Sequence, residues 1–230
     1  MSETALIVGT GSGLSASLAR LFAKQGMRVA LASRNPQKTA ALAQETGARS
    51  YGGDASKRED VAALIAGVTR DLGAPDIVVY NPSYRTRGPL IELDPAEVER
   101  ALMVTCYGGF LVGQATAKLM LERGSGSILF TGASASVKGY ALSAPFAMGK
   151  FGLRGLAQSM ARELAPKNIH VAHFVIDGGI RQQSDPRGNA RGADGLLEPD
   201  AIAETYLHIH RQHRSAWTWE VELRPWVETF

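Results

Sequence analysis

The run Val8-Gly9-Thr10-Gly11-Ser12-Gly13-Leu14-Ser15 sits between a short apolar stretch, Ala5–Val8, and a helical pattern over Ala16–Gln25. A tight turn that lets a pyrophosphate approach backbone N–H groups at a helix N-terminus needs residues without side-chain bulk, so Gly9, Gly11, Ser12, Gly13 and Leu14 read as a dinucleotide cradle. A glycine cluster alone also marks plain turns; its place between a first strand and a first helix is what points to a ligand. The second strand ends in Ser33-Arg34, where an NAD-selective protein places a carboxylate for the ribose 2′-hydroxyl. No acid stands there, and Arg34 can offer a planar guanidinium to a 2′-phosphate, so the expected cofactor is NADP(H). The bland alternative is a solvated arginine preceding a helix.

Other residue types offer less. Cys106 is the single cysteine, which excludes an intramolecular disulfide and any cysteine-based metal framework, and it reads as helix core rather than nucleophile. Among the five histidines, His210 and His213 have i, i+3 spacing. His170 and His173 fall on opposite faces of a strand, however, and no carboxylate pattern completes a ligand set, so no metal is expected.

The elements that must position these groups alternate regularly. Apolar runs at Ala5–Val8, Arg28–Ala32, Ile77–Tyr80, Ser127–Thr131 and His170–Ile176 are separated by longer helical patterns, which predicts an α/β fold with a doubly wound parallel sheet and helices on both faces. Asn35-Pro36 and Asp94-Pro95 pair a capping residue with proline at the first helical position. Gly47 is placed to end the first of those helices, and the second is expected to run to about Glu122. Ser56 and Glu59 have capping-box spacing before another helix. The polar, glycine-rich stretch Gln182–Gly195 is the one long irregular segment, preceding a last helix near Pro199–His213 and a last strand near Trp219–Leu223; residues 182–213 are expected to hold a substrate lid.

At 230 residues, with 45% hydrophobic and 20% charged residues, the chain suits one globular domain spanning residues 1–230. The net charge of +3 is spread without a block of like sign, so neither nucleic acid nor a membrane surface is an expected partner. No signal-like or membrane-spanning run is read, and a cytoplasmic location is expected.

On these residues the chain resembles the classical short-chain dehydrogenases/reductases, with a Rossmann fold, from Thr4 to about Val221. Gly9, Gly13 and Ser15 match that family's Gly-x-x-x-Gly-x-Gly turn, with Ser15 for the third glycine. The resemblance implies that Asp54-Ala55, after strand three, meets adenine, although a turn aspartate is the alternative, and that Asn81, the one residue retained from the family's Asn-Asn-Ala-Gly segment after strand four, binds the cofactor. It also implies that the backbone of Asp177-Gly178-Gly179-Ile180 holds the nicotinamide carboxamide through Gly178 and Ile180. In such proteins a Tyr-x-x-x-Lys pair on one helical face and a serine perform proton transfer. Lys150 fits the lysine, which also holds the nicotinamide ribose, but Phe146 stands at the tyrosine position, Ala133 at the serine position and Thr105 at an asparagine position.

Replacement donors among nearby hydroxyls are Tyr140, the first candidate, and Ser134, which a one-residue loop shift would bring into the site; Ser143 and Tyr84 follow. Two functions remain open: an NADP(H)-dependent oxidoreductase acting on a small carbonyl or alcohol with non-standard proton transfer, or a dinucleotide-binding regulatory protein without catalysis. The aromatic C-terminus, Trp217, Trp219, Trp226 and Phe230, reads as assembly surface of a homodimer or homotetramer, with core packing as the alternative.

Overall fold

The computed structural model describes residues 2–182, 192 and 194–228. Seven strands, β1 (Thr4–Val8), β2 (Arg28–Ser33), β3 (Arg49–Gly52), β4 (Ile77–Tyr80), β5 (Gly126–Thr131), β6 (Ile169–Ile176) and β7 (Glu220–Leu223), form one parallel sheet in the order β3-β2-β1-β4-β5-β6-β7. The α-helices are α1 (Leu14–Lys24), α2 (Ala40–Thr46), α3 (Arg58–Leu72), α4 (Pro95–Leu102), α5 (Gly108–Arg123), α6 (Ala144–Leu164) and α7 (Pro199–His210).

Both sheet faces are covered, which is why β4 and β6 are buried along their whole lengths. The two-residue period of a strand then sorts side chains into two cores. Leu6, Val8, Ala30, Val78, Tyr80 and Phe130 pack with residues of α3, α5 and α6, while Ala5, Ile7, Leu31, Ile77, Val79 and Leu129 pack with residues of α1 and α7. The doubly wound α/β architecture expected from the sequence is therefore present.

Sheet order fixes where a ligand can enter. From β1 the chain winds outward to β2 and β3, then crosses back to pair β4 with β1, Val8 opposite Tyr80. The loops leaving β1 and β4 diverge, and this switch point opens a crevice at the carboxyl ends of the strands.

Local expectations need three corrections. Lys57, in extended conformation, is the N-cap of α3, and no side chain caps that end; the Ser56 hydroxyl instead donates to Asp54 Oδ1 at 2.7 Å. Asn35 caps a short 3-10 turn over Pro36–Thr39, accepting from Gln37 N–H at 3.1 Å, and α2 follows it to end at Gly47. The helix expected from Asp94 to Glu122 is broken by a π turn, Met103–Tyr107, into α4 and α5. There Tyr80 donates its hydroxyl to Val104 O at 2.6 Å, a side chain entering the helical hydrogen-bond ladder. Most of Gln182–Gly195 lies outside the described residues, and within 182–213 the helix α7 packs on the core through Ile202, Ala203, Tyr206, Leu207 and Ile209.

Candidate active site

Two adjoining clefts occupy the crevice. The smaller, about 360 Å³, is lined by Ser33, Arg34, Asn35, Lys38, Asp54 and Ala55 among others. The larger, about 750 Å³, is lined by Gly11, Ser12, Gly13, Leu14, Ser134, Tyr140, Ser143, Phe146, Lys150, Gly178 and Ile180, with Arg85 and Arg87. Gly9, Asn81 and Ser83 line both, so the space is continuous past the glycine turn.

The turn itself is built from β1 outward. Gly9 has φ +84°, and a Cβ there would meet Pro82 N at 2.6 Å, so the turn and the segment after β4 touch through backbone. Asn81 Nδ2 donates to Ser15 Oγ at 2.8 Å, and Ser15 donates to Gly9 O at 3.1 Å. The serine that replaces the third glycine thus ties turn, helix and β4 together. At Gly11 and Gly13, by contrast, a Cβ would meet no protein atom within 4 Å. The start of α1 has no side-chain cap and no acid in its first turn, which leaves its N–H groups suited to an anion. These features fit a dinucleotide's pyrophosphate.

In the smaller cleft the Ser33 hydroxyl is buried without a hydrogen-bond partner beside exposed Arg34. Asp54 accepts from Ser56 through both N–H, at 3.0 Å, and hydroxyl. Burial opposes the charged form of Asp54, but these two hydrogen bonds, together with the charges of Arg34 and Lys57, hold the carboxyl below the ordinary carboxylate range. The turn-aspartate role and a place in the cleft coexist in one residue.

At the far end, Lys150 is buried on α6 and donates from Nζ to Thr131 O at 2.7 Å. Burial first, and the charge of Arg85 second, lower its pKa to about 7. Phe146, one turn earlier and 7% exposed, lies with its ring centroid 5.9 Å from Nζ; Arg85 Cζ sits over the same ring at 4.1 Å. Ala133 and Ala135 complete a small apolar cluster with Phe146. The wall opposite is held by Asp177, which accepts from Arg224 at 2.5 Å and pairs with Lys138 at 3.6 Å.

Comparison with known proteins settles the family. The model of the short chain dehydrogenase family matches residues 3–184. The chain belongs to that family. A solved short-chain dehydrogenase from Rhodopseudomonas palustris is 35% identical with a TM-score of 0.84, over 97% of this chain and 99% of that one. A metagenomic short-chain oxidoreductase solved in complex with NADP is 27% identical with a TM-score of 0.84, over 98% of each chain. Sorbitol-6-phosphate 2-dehydrogenase of Escherichia coli is 27% identical over 216 residues, 90% of this chain and 83% of the relative. The family comprises oxidoreductases that use nicotinamide dinucleotides.

The cofactor candidates, and Lys150, Tyr140, Ser134 and Ser143 among the catalytic ones, each line one of the two clefts. Three lesser candidates do not. Tyr84 donates its hydroxyl to Glu97 at 2.5 Å and lies under Arg100; Cys106 packs against Gly152; Thr105 is buried against Gly149 and accepts from Tyr84 N–H at 3.3 Å.

Sequence reasoning missed Lys38, Arg85 and Arg87. Lys38 carried a usable signal, since it sits one turn after the Asn35 cap beside Arg34. Arg85 and Arg87 follow the Tyr80-Asn81-Pro82-Ser83 segment, but nothing local says which way they reach.

Also missed was a buried chain behind the site. Ser136 Oγ accepts from Ala133 N–H at 3.1 Å and lies 3.2 Å from His173 Nε2; His173 Nδ1 lies 3.0 Å from Glu220, which Arg154 holds at 2.6 Å. Burial pushes His173 down to about 4, so the imidazole is neutral, with its proton on Nδ1 toward the carboxylate and Nε2 accepting from Ser136. The chain fixes the loop that carries Ala133 and Ser134. His210 is hydrogen-bonded by Ser127 and Glu3, and His170 Nε2 lies 2.9 Å from Thr218 O; among the described residues no group of three or more His, Cys, Asp or Glu is placed to hold a metal. No helix among the described residues is long and apolar enough to cross a membrane.

Proposed function

We propose that this protein is an NADP(H)-dependent oxidoreductase that interconverts a small carbonyl compound and its alcohol, with proton transfer that does not use a tyrosine at the family's usual position. The observation that carries the reading is the continuity of the crevice from Arg34 and Lys38, past the glycine turn, to Lys150. Arg34, with Ser33 and Lys38 beside it, would hold the 2′-phosphate, Asp54 and Ala55 the adenine side, and the backbone at Gly9, Gly11, Ser12, Gly13 and Leu14 the pyrophosphate. Asn81, Gly178, Ile180 and Lys150 would hold the nicotinamide half. When bound, the cofactor supplies or accepts the hydride.

Reduction leaves negative charge on the substrate oxygen, which must be neutralised by a proton. Phe146 stands where the family's tyrosine does and has none to give, and Ala133 stands for the serine. Lys150, held near 7, carries a proton that it can release around neutrality, and Tyr140 and Ser134 line the same cleft as hydroxyls able to pass it on. A second reading, binding without turnover, is favoured by the apolar patch of Phe146, Ala133 and Ala135 at the floor of the site. Assembly as a homodimer or homotetramer belongs to the same proposal, supported by the exposed Phe110, Met148 and Phe151 on α5 and α6. A lid over 182–213 and a cytoplasmic location belong to it too.

Thermal unfolding with NADPH, with NADH and with neither tests the cofactor half: NADPH should raise the midpoint more than NADH, and Arg34→Asp should remove the preference. No stabilisation by either nucleotide overturns the proposal. Wild-type turnover in a carbonyl screen supports catalysis, whereas activity found only in Phe146→Tyr favours binding without turnover.

A further inference from the structure

We propose that Arg154, Glu220, His173 and Ser136 form a positioning relay for Lys150, fixing the backbone of residues 131–133 and with it the place at which this lysine meets the nicotinamide half of the cofactor. The inference deepens the function proposed above and rests on its assignment of Lys150 to that half.

Lys150 and Arg154 stand one turn apart on α6 and so share a helical face. Lys150 grips the loop after β5 directly, donating to Thr131 O at 2.7 Å. Arg154 grips the same loop by a longer route. Its guanidinium takes both oxygens of Glu220, at 2.6 and 2.7 Å, and His173 Nδ1 donates to that carboxylate at 3.0 Å. Ser136 Oγ, 3.2 Å from His173 Nε2, accepts from Ala133 N–H at 3.1 Å. The two routes close a ring of bonds that begins and ends on α6. That ring has no slack: Gly132 N–H donates to Phe174 O at 2.7 Å, and a Cβ at Gly132 would collide with His173 Nε2.

A buried polar chain ordinarily does no more than satisfy its own members, and apolar side chains could brace a loop without desolvating a carboxylate and an imidazole. What packing alone does not supply is a direction for each hydrogen bond. Arg154 orients the carboxylate, the carboxylate holds the imidazole proton on Nδ1, Nε2 then accepts from the Ser136 hydroxyl, and the Ser136 lone pairs are left for Ala133 N–H. Ala133, at the family's serine position, has no hydroxyl of its own, so the loop at the reacting end is held through its backbone. Thr131 O, which takes the Lys150 ammonium, lies two residues before that N–H and moves with it. Neither Lys150 nor any member of the relay lines the smaller cleft, so a displaced loop should disturb the nicotinamide half and spare the adenine half.

The test is calorimetric titration of the full chain with two probes, NADP⁺ and adenosine 2′,5′-bisphosphate, which lacks the nicotinamide ribose. Ser136→Ala should weaken NADP⁺ about three- to tenfold, the effect of one lost hydrogen bond, and leave the bisphosphate unchanged. Glu220→Gln should do the same, and should add nothing further in the Ser136→Ala background because the members act as a unit. In Lys150→Met, Ser136→Ala should cost NADP⁺ nothing more, a result that a merely structural serine would not give. Should Ser136→Ala fail to fold, Glu220→Gln, at the partly exposed end of the relay, carries the same comparisons. Nitrogen-15 NMR of the wild-type chain reads the His173 tautomer directly, its resonance being identified by loss in His173→Gln. A proton on Nδ1 is expected, and Glu220→Gln should shift it toward Nε2. Equal losses for both probes, no loss for NADP⁺, a full Ser136→Ala effect in Lys150→Met, or a wild-type proton on Nε2 overturns the relay alone. A wild-type chain that does not bind NADP⁺ overturns the proposed function itself, so the two failures are told apart.

Discussion

Gly9 and Gly11 lie two residues apart in one turn, yet a methyl group added to each meets different surroundings. At Gly9 the backbone has φ +84° and the new Cβ would lie 2.6 Å from Pro82 N and 2.9 Å from Pro82 Cδ and Cγ. The left-handed conformation costs a residue with a side chain about 1–2 kcal/mol. Forcing a methyl group against a rigid prolyl ring adds about 1–3 kcal/mol of overpacking. The sum, roughly 2–5 kcal/mol, corresponds to a loss of about 4–20 °C in the unfolding midpoint of a domain this size. At Gly11 no atom lies within 4 Å of the added carbon, so Gly11→Ala should stay within about 0.5 kcal/mol of wild type. Thermal and urea unfolding of both variants without ligand decides the matter. Because Pro82 adjoins Asn81, which holds Ser15, Gly9→Ala should also weaken stabilisation by NADPH. Midpoints that are equal for the two variants would refute the close approach of the glycine turn to the segment after β4, and with it the stated geometry of the cradle.

Lys150 is held near 7 by burial, against 10.5 for a free lysine. Between those values the unfolded chain binds a proton that the folded chain releases, so this group makes stability rise with pH from about 7 to about 10.5. Lys150→Met should flatten that rise in urea midpoints taken across the interval. If the Lys150 ammonium is the proton source, kcat/KM for carbonyl reduction should fall as pH passes about 7; a flat profile to pH 9 would remove it from the role. His173 is neutral in the fold, with a pKa near 4. The unfolded chain takes up its proton first as pH drops, so stability should decline from about 6.5 toward 4, and His173→Gln should reduce the slope. Phe146→Tyr restores a transferable proton beside Lys150 and should raise carbonyl reduction about 10²- to 10⁴-fold, read in steady-state assays.

The local and periodic features of this protein were legible in its sequence. Parallel strands buried on both faces must be apolar throughout, so β1, β2, β4, β5 and β6 stood out as runs, and the glycine turn with Arg34 follows directly from two of them. Lys150 was legible through the resemblance of its segment to the family's Tyr-x-x-x-Lys helix, although Phe146 stands for the tyrosine. The tertiary structure decided what depends on meetings between distant segments. Arg85 reaches Phe146 from far along the chain, and Ser136, His173 and Glu220 come from three separate elements. The same physics explains the expectations that failed. Ser56 had the spacing to cap α3, but the helix begins one residue later, with Lys57 at the cap and the Ser56 hydroxyl donating to Asp54, and the helix from Asp94 widened where Tyr80 of a neighbouring strand bonded Val104. Sequence periodicity specifies which way a side chain faces within its own element; which partner it finds there is set by how the elements pack, because hydrogen bonds and ring contacts form only between groups the packing brings within a few ångströms.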